Sequence, residues 1–181
     1  MSRHSLFLRT SVFVLVLAGM VWAAACSIPK EEEIKSWMQI VDMETKWVSK
    51  EYRAWPPKLT LVPAISFRVK NVSPKPLTYI NFNAIFKFKD DEENLGDSYL
   101  AGIRGTPVPP GELSPVIFMK SNFGVEGNSL ASFTNNPMWK QVIVRLFAQT
   151  RGSGPVLLGT YICSRTIDFK EPAPAAPAPK K

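Results

Sequence analysis

Between Ile80 and Lys89 the chain alternates strictly. Ile80, Phe82, Ala84, Phe86 and Phe88 fall on one face, and Asn81, Asn83, Lys87 and Lys89 fall on the other, together with Tyr79 and Ile85. A period of two belongs to an extended strand, because successive side chains leave a pleated backbone on opposite sides. One apolar and one polar face also select the sheet type. A strand of a parallel sheet is covered on both faces and reads as a continuous apolar run, whereas a strand with one wet face belongs to an antiparallel sheet.

The same reading extends along the body. Val41, Met43 and Trp47 alternate with Asp42, Glu44 and Lys46, and Leu61, Ile65, Phe67 and Val69 alternate with Val62, Ser66, Arg68 and Lys70. Tyr99–Arg104 is a return strand after the acidic loop Asp90-Asp91-Glu92-Glu93-Asn94, and Val116–Lys120 is a short one. Gln141–Gln149 and Val156–Thr166 are apolar and β-branched, and Arg151-Gly152-Ser153-Gly154 between them signals a hairpin. Proline-rich breaks at Trp55-Pro56-Pro57, Ser73-Pro74-Lys75-Pro76 and Pro107–Gly111 separate the runs, because proline has no N–H to continue a ladder. About seven strands with turns between them and no long amphipathic helix predict an all-β fold, an antiparallel β-sandwich of immunoglobulin-like type. Phe67, Phe82, Phe86, Phe88, Phe118 and Phe147 are its expected core.

The ends have a different character. Arg3, His4 and Arg9 precede Val12–Ala25, a run of 14 residues without a charge, which then meets Ala23-Ala24-Ala25-Cys26. A spanning helix needs ~20 apolar residues, so this is a signal-peptide core rather than a membrane anchor. Small residues before the cut and a cysteine after it resemble a bacterial lipoprotein signal with its lipobox. The resemblance implies cleavage before Cys26 and acylation of its thiol. Ser27, in place of the aspartate that retains such proteins at the inner membrane, implies an outer-membrane address facing the periplasm. The same tripeptide also satisfies ordinary secretion, with Cys26 then free to pair with Cys163 in an oxidising compartment.

The chain thus divides into a signal peptide (1–25), a lipidated N-terminus and tether (26–36), a β-sandwich domain (37–168) and a Pro/Ala-rich tail (169–181). Glu31-Glu32-Glu33 ahead of Ile34, Trp37 and Met38 also suits a first helical turn with acids at its N-terminus. Alternating Pro and Ala after Glu171 disfavours helix and sheet and reads as an extended, disordered polyproline II spacer ending in Lys180-Lys181.

Phe86-Lys87-Phe88-Lys89-Asp90 resembles the F-x-L-Y-D motif of a family of small exported bacterial β-sandwich domains. Asn71-Val72-Ser73 and Pro109-Pro110-Gly111-Glu112 resemble that family's "N-x-S" strand end and "P-G-E" turn. The likeness runs from about Leu61 to Lys120 and implies fold more than activity.

Chemistry-bearing patterns are sparse. The single histidine, His4, lies in the signal segment, which removes Ser-His triads and His-ligated metals from the mature chain. There is no P-loop, dinucleotide fingerprint or CxxC. Cys163 has no histidine or second cysteine to activate it and reads as a buried thiol. The acids of residues 90–93 lack the glycine and ligand spacing of an EF-hand loop and read as a hairpin tip. No catalytic residue, metal ligand or cofactor is expected. Removing residues 1–25 takes away two arginines and no acid, leaving a net charge of +5 from the full chain's +7, with the basic residues scattered. Nucleic acid requires a clustered stripe and is not an expected partner.

Phe123–Trp139 is the one long irregular connection. Such a stretch is either functional or a cap on the fold. As a binding loop its anchors are Phe123, Phe133 and Trp139. The expected function is that of a non-enzymatic envelope lipoprotein, held at the membrane through Cys26 and contacting an envelope protein. The alternatives are a carrier of an apolar ligand in a phenylalanine-lined sandwich pocket, and a hydrolase working without histidine.

Overall fold

A computed structural model describes residues 29–134, 136–137 and 139–172. Cys26, the signal segment and most of the Pro/Ala tail lie outside the described residues. Chain order is α1 (Glu31–Trp37), β1 (Met38–Arg53), β2 (Lys58–Asn71), β3 (Ile80–Phe88), β4 (Asn94–Ile103), β5 (Ile117–Lys120), β6 (Val125–Gly127), α2 (Ala131–Thr134), β7 (Val142–Gln149), β8 (Val156–Ile162) and β9 (Ile167–Asp168).

The strands form two sheets packed face to face, an all-β sandwich. The first runs β5-β2-β1-β9, with β6 on the same edge of β2 as β5; the second runs β4-β3-β7-β8. All pairings are antiparallel except β1 with β9. The alternation of β3 is realised as read: Ile80, Phe82, Ala84 and Phe86 are buried against the opposite sheet. Phe67 of β2 meets Phe82 of β3 edge to face, 5.2 Å between ring centres, so the two sheets are joined by interlocked aromatics.

Three of the six expected core phenylalanines, Phe67, Phe82 and Phe86, have no exposed surface. Phe88 is half-buried against the core. Phe118 is 46% exposed, because Ile117 and Met119 take the inward positions of β5. Phe147 likewise alternates out of phase with buried Val144, Leu146 and Ala148, and stacks under the Arg145 guanidinium. A one-residue phase choice decides which side chains enter the core. Met43, expected inward, is exposed for a related reason. A bulge between Val41 and Glu44, with Asp42 in the left-handed region at φ 50°, shifts the phase of β1 before Trp47 turns in.

The packed body begins at Glu31. Helix α1 carries its three glutamates in the first turn and a Glu31–Lys35 pair one turn apart, and it buries Ile34 completely. At the other end Phe169 packs on Tyr52, 5.5 Å between rings, and the Glu171 carboxylate accepts from the Leu130 N–H.

Asn71 organises one end of the sandwich. Its fully buried side-chain amide donates to the Lys75 and Val108 carbonyls, and its Oδ1 accepts from the Ser73 N–H and hydroxyl. Its backbone N–H donates to Glu112 O and its carbonyl accepts from the Gly111 N–H. Gly111 takes φ 82°, which favours glycine. The Asn71-Val72-Ser73 and Pro109–Glu112 segments, far apart in sequence, are therefore one hydrogen-bonded unit.

Candidate functional site

The connection from Ser121 to Lys140 contains the irregular stretch Phe123–Trp139 singled out by sequence, and the structure divides it into two parts. The first part ties the sheets together. Asn122 Oδ1 accepts from the Asp97 N–H, Asn122 N–H donates to Asp97 O, and Asn122 Nδ2 donates to the Asp97 carboxylate, at 2.9, 3.1 and 2.9 Å. Lys50 of β1 donates to the Asn122 carbonyl, and its ammonium stands 5.7 Å from the Phe123 ring centre. Gly124 then passes so close to β2 that a Cβ there would lie 1.9 Å from the Leu61 carbonyl oxygen. That approach lets β6 pair with Leu59–Leu61.

The second part is a plug. Phe133 is buried at 1% exposure. Trp139 stands edge-on to Trp47 at 5.8 Å and to Phe133 at 6.1 Å. Arg165 covers the Trp139 ring at 5.6 Å and donates to its carbonyl. Phe123, Phe133 and Trp139 therefore do not form one surface. Phe123 is 64% exposed, while the other two close the space between the sheets. The exposed aromatic that sequence passed over is Trp55, 87% exposed at the β1–β2 turn. Beside two prolines, it reads in sequence only as punctuation.

The polar chemistry is subdued. Cys163 is free and buried, and its thiol is pushed up to about 11, mainly by desolvation, against weaker opposing hydrogen bonds from the Ala64 backbone and Thr45. A thiol so placed is protonated at neutral pH and is a poor nucleophile. Lys46 is raised by its hydrogen bond to Asp168, and Lys58 by Glu126 and Glu51; a lysine acting as a base needs the opposite shift. Asp91 Oδ1 accepts from the Glu93 N–H within the β3–β4 turn, and no three Asp, Glu, His or Cys side chains converge as metal ligands among the described residues. A shallow groove of about 410 Å3 runs along the Pro107–Pro115 loop, lined by Val108, Pro109, Glu112 and Leu113 among others. No helix among the described residues is long and apolar enough to cross a membrane.

No family model matches the chain, and no curated protein matches it. Among solved structures it is similar to the ligand binding region of Serine-glutamate repeat protein A of Enterococcus faecium, at 14% identity over 71% of this chain and 99% of that one. The TM-score of that match is 0.27, too low to carry an argument about fold or role.

Proposed function

We propose that this protein is a lipid-anchored accessory protein of the bacterial cell envelope, non-enzymatic, at the outer membrane and facing the periplasm, whose sandwich domain makes contacts with an envelope protein. The observation that carries this reading is the order basic segment, apolar run, Ala23-Ala24-Ala25-Cys26, with the packed body starting at Glu31, five residues after that cysteine. A thioether-linked diacylglycerol with a further acyl chain on the amine supplies several hydrocarbon chains, which hold far better than one. The buried protonated Cys163 and the upward-shifted lysines fit a binding role rather than a nucleophilic one.

The experiment is metabolic labelling with a palmitate analogue followed by fractionation. The wild-type chain is expected to carry label and to sediment with membranes. Cys26→Ser is expected to lose the label. A wild-type chain that is cleaved, unlabelled and released to the soluble periplasm overturns the anchor.

A further inference from the structure

One end of the sandwich is built from three connections: residues 72–79 between β2 and β3, 104–116 between β4 and β5, and 150–155 between β7 and β8. Leu77 and Val108 exchange both backbone hydrogen bonds there, Asn71 holds the Pro109–Glu112 turn, and the Arg151 guanidinium covers the Tyr79 ring at 4.8 Å. Val72, Tyr79 and Leu113 project from this end at 50%, 49% and 44% exposure, and the shallow groove of the Pro107–Pro115 loop lies on it. It is also the end by which the chain enters the fold. α1 leads straight into Met38, which pairs with Asn71, and the Trp37 carbonyl accepts from the Val72 N–H at 2.9 Å. Charge separates the two ends. Lys75 and Arg104 have no ion pair among the described residues, and with Arg151 they outnumber Glu112, the one acid of the three connections. α1 adds Lys35 and three glutamates, which leaves this end neutral. The β3–β4 turn at the opposite end carries Asp90, Asp91, Glu92 and Glu93 beside Lys89.

We propose that this end docks on the bilayer, with Val72, Tyr79 and Leu113 entering the boundary between headgroups and acyl chains and Lys75, Arg104 and Arg151 meeting the lipid phosphates. The inference rests on the lipid anchor at Cys26. That cysteine lies five residues before Glu31, at most about 18 Å of extended chain, and α1 adds about 10 Å. β1 leads away from this end for 16 residues, so Trp55 beyond it stands about 45 Å off, farther than tether and helix together can reach. The end beside α1 is therefore the one an acyl chain on Cys26 holds against lipid, and the acidic turn points away from anionic headgroups. A ring with a cation over it, as at Tyr79 and Arg151, suits a boundary that is apolar on one side and charged on the other. The α1 glutamates oppose attraction to anionic lipid, and Glu31 is already paired with Lys35, so apolar contact carries the docking more than charge does. Three apolar tips bind lipid weakly by themselves, and the anchor makes the contact intramolecular.

The test uses the full chain reconstituted in vesicles of phosphatidylethanolamine and phosphatidylglycerol, with the acyl mass on Cys26 verified first. A fluorophore is attached at Leu113→Cys, at Val72→Cys or, for the far end, at Trp55→Cys; the buried, protonated Cys163 does not compete for it. A lipid carrying a nitroxide near the top of its acyl chain is expected to quench the Leu113 and Val72 labels by about half or more and the Trp55 label by less than about a tenth. Adding Val72→Asp to the Leu113-labelled chain is expected to lower its quenching about two-fold or more, whereas adding Trp55→Asp leaves it unchanged. Should Leu113→Cys perturb the far-ultraviolet circular dichroism, Val72→Cys reports on the same end. An acylated, folded chain whose Leu113 and Val72 labels are quenched no more than the Trp55 label overturns the docking, as does one in which Leu113→Cys crosslinks to a second copy instead. A chain without the acyl mass overturns the anchor, and with it the choice of this end.

Discussion

At the scale of single residues, buried polar groups are the sensitive points. Asn71 satisfies four hydrogen bonds without exposure, and truncating it leaves the Ser73 N–H without a partner and takes one donor each from the Lys75 and Val108 carbonyls. Asn71→Ala is expected to cost about 3 kcal/mol, read from urea denaturation, with Val72→Ala next to it near zero. Cys163 supplies a pH signature. Its folded value of about 11 lies above its ordinary 9.0, so the thiol's contribution is complete below pH 9 and is lost as pH rises through 11. The loss amounts to about 3 kcal/mol, and burial of Tyr161, which raises its phenol, acts in the same direction at higher pH. Cys163→Ala is expected to flatten the fall in stability between pH 9 and 11. An unchanged slope would mean that the thiol is not buried in solution. Both features were half legible: the sequence marked Asn71 as turn material and Cys163 as inert, but nothing local reveals that Asn71 reaches Val108, 37 residues away.

At the scale of elements, the plug separates the two roles sequence left open for the irregular connection. Trp139 and Phe133 interlock with Trp47, whereas Phe123 lies on the surface under Lys50. Trp139→Ala is therefore expected to destabilise by about 3–5 kcal/mol and Phe123→Ala by under about 0.5 kcal/mol, both measured by chemical denaturation. Gly124→Ala drives a methyl into the Leu61 carbonyl and is expected to cost on the order of 2 kcal/mol or more, with β6 losing amide-exchange protection first. Strands with clean alternation, β3 and β7, were readable because their inner and outer residues differ in polarity, whereas β2 alternates only from Ile65 onward and is buried throughout Leu59–Ile65, Val62 included. Phe118 and Phe147 were misplaced because aromatics suit either face and the phase is set by the opposing sheet. The bulge that exposes Met43 hides in Asp42, a residue that tolerates φ > 0 without announcing it. The strands β6 and β9, three and two residues long, carry too little pattern to see.

At the scale of the whole molecule, antiparallel sheets closed by interlocked aromatics leave their chemistry to the rims and edges. The sandwich follows from composition and period. The edges do not, because which strand ends a sheet is a property of the topology and not of any one segment. Asn122 covers the β4 edge at Asp97, 25 residues away in sequence, and neither segment carries a local signal of it. The proposed address is the converse: it is read locally from residues 3–26 and owes nothing to the fold. The intact mass of the mature protein extracted from membranes tests the lipid anchor on Cys26 most directly. The expected result is a chain beginning at Cys26 and heavier than its sequence by diacylglycerol and one further acyl group. A full-length chain recovered from the cytosol, or an unacylated peptide joined through Cys26 and Cys163, would contradict it.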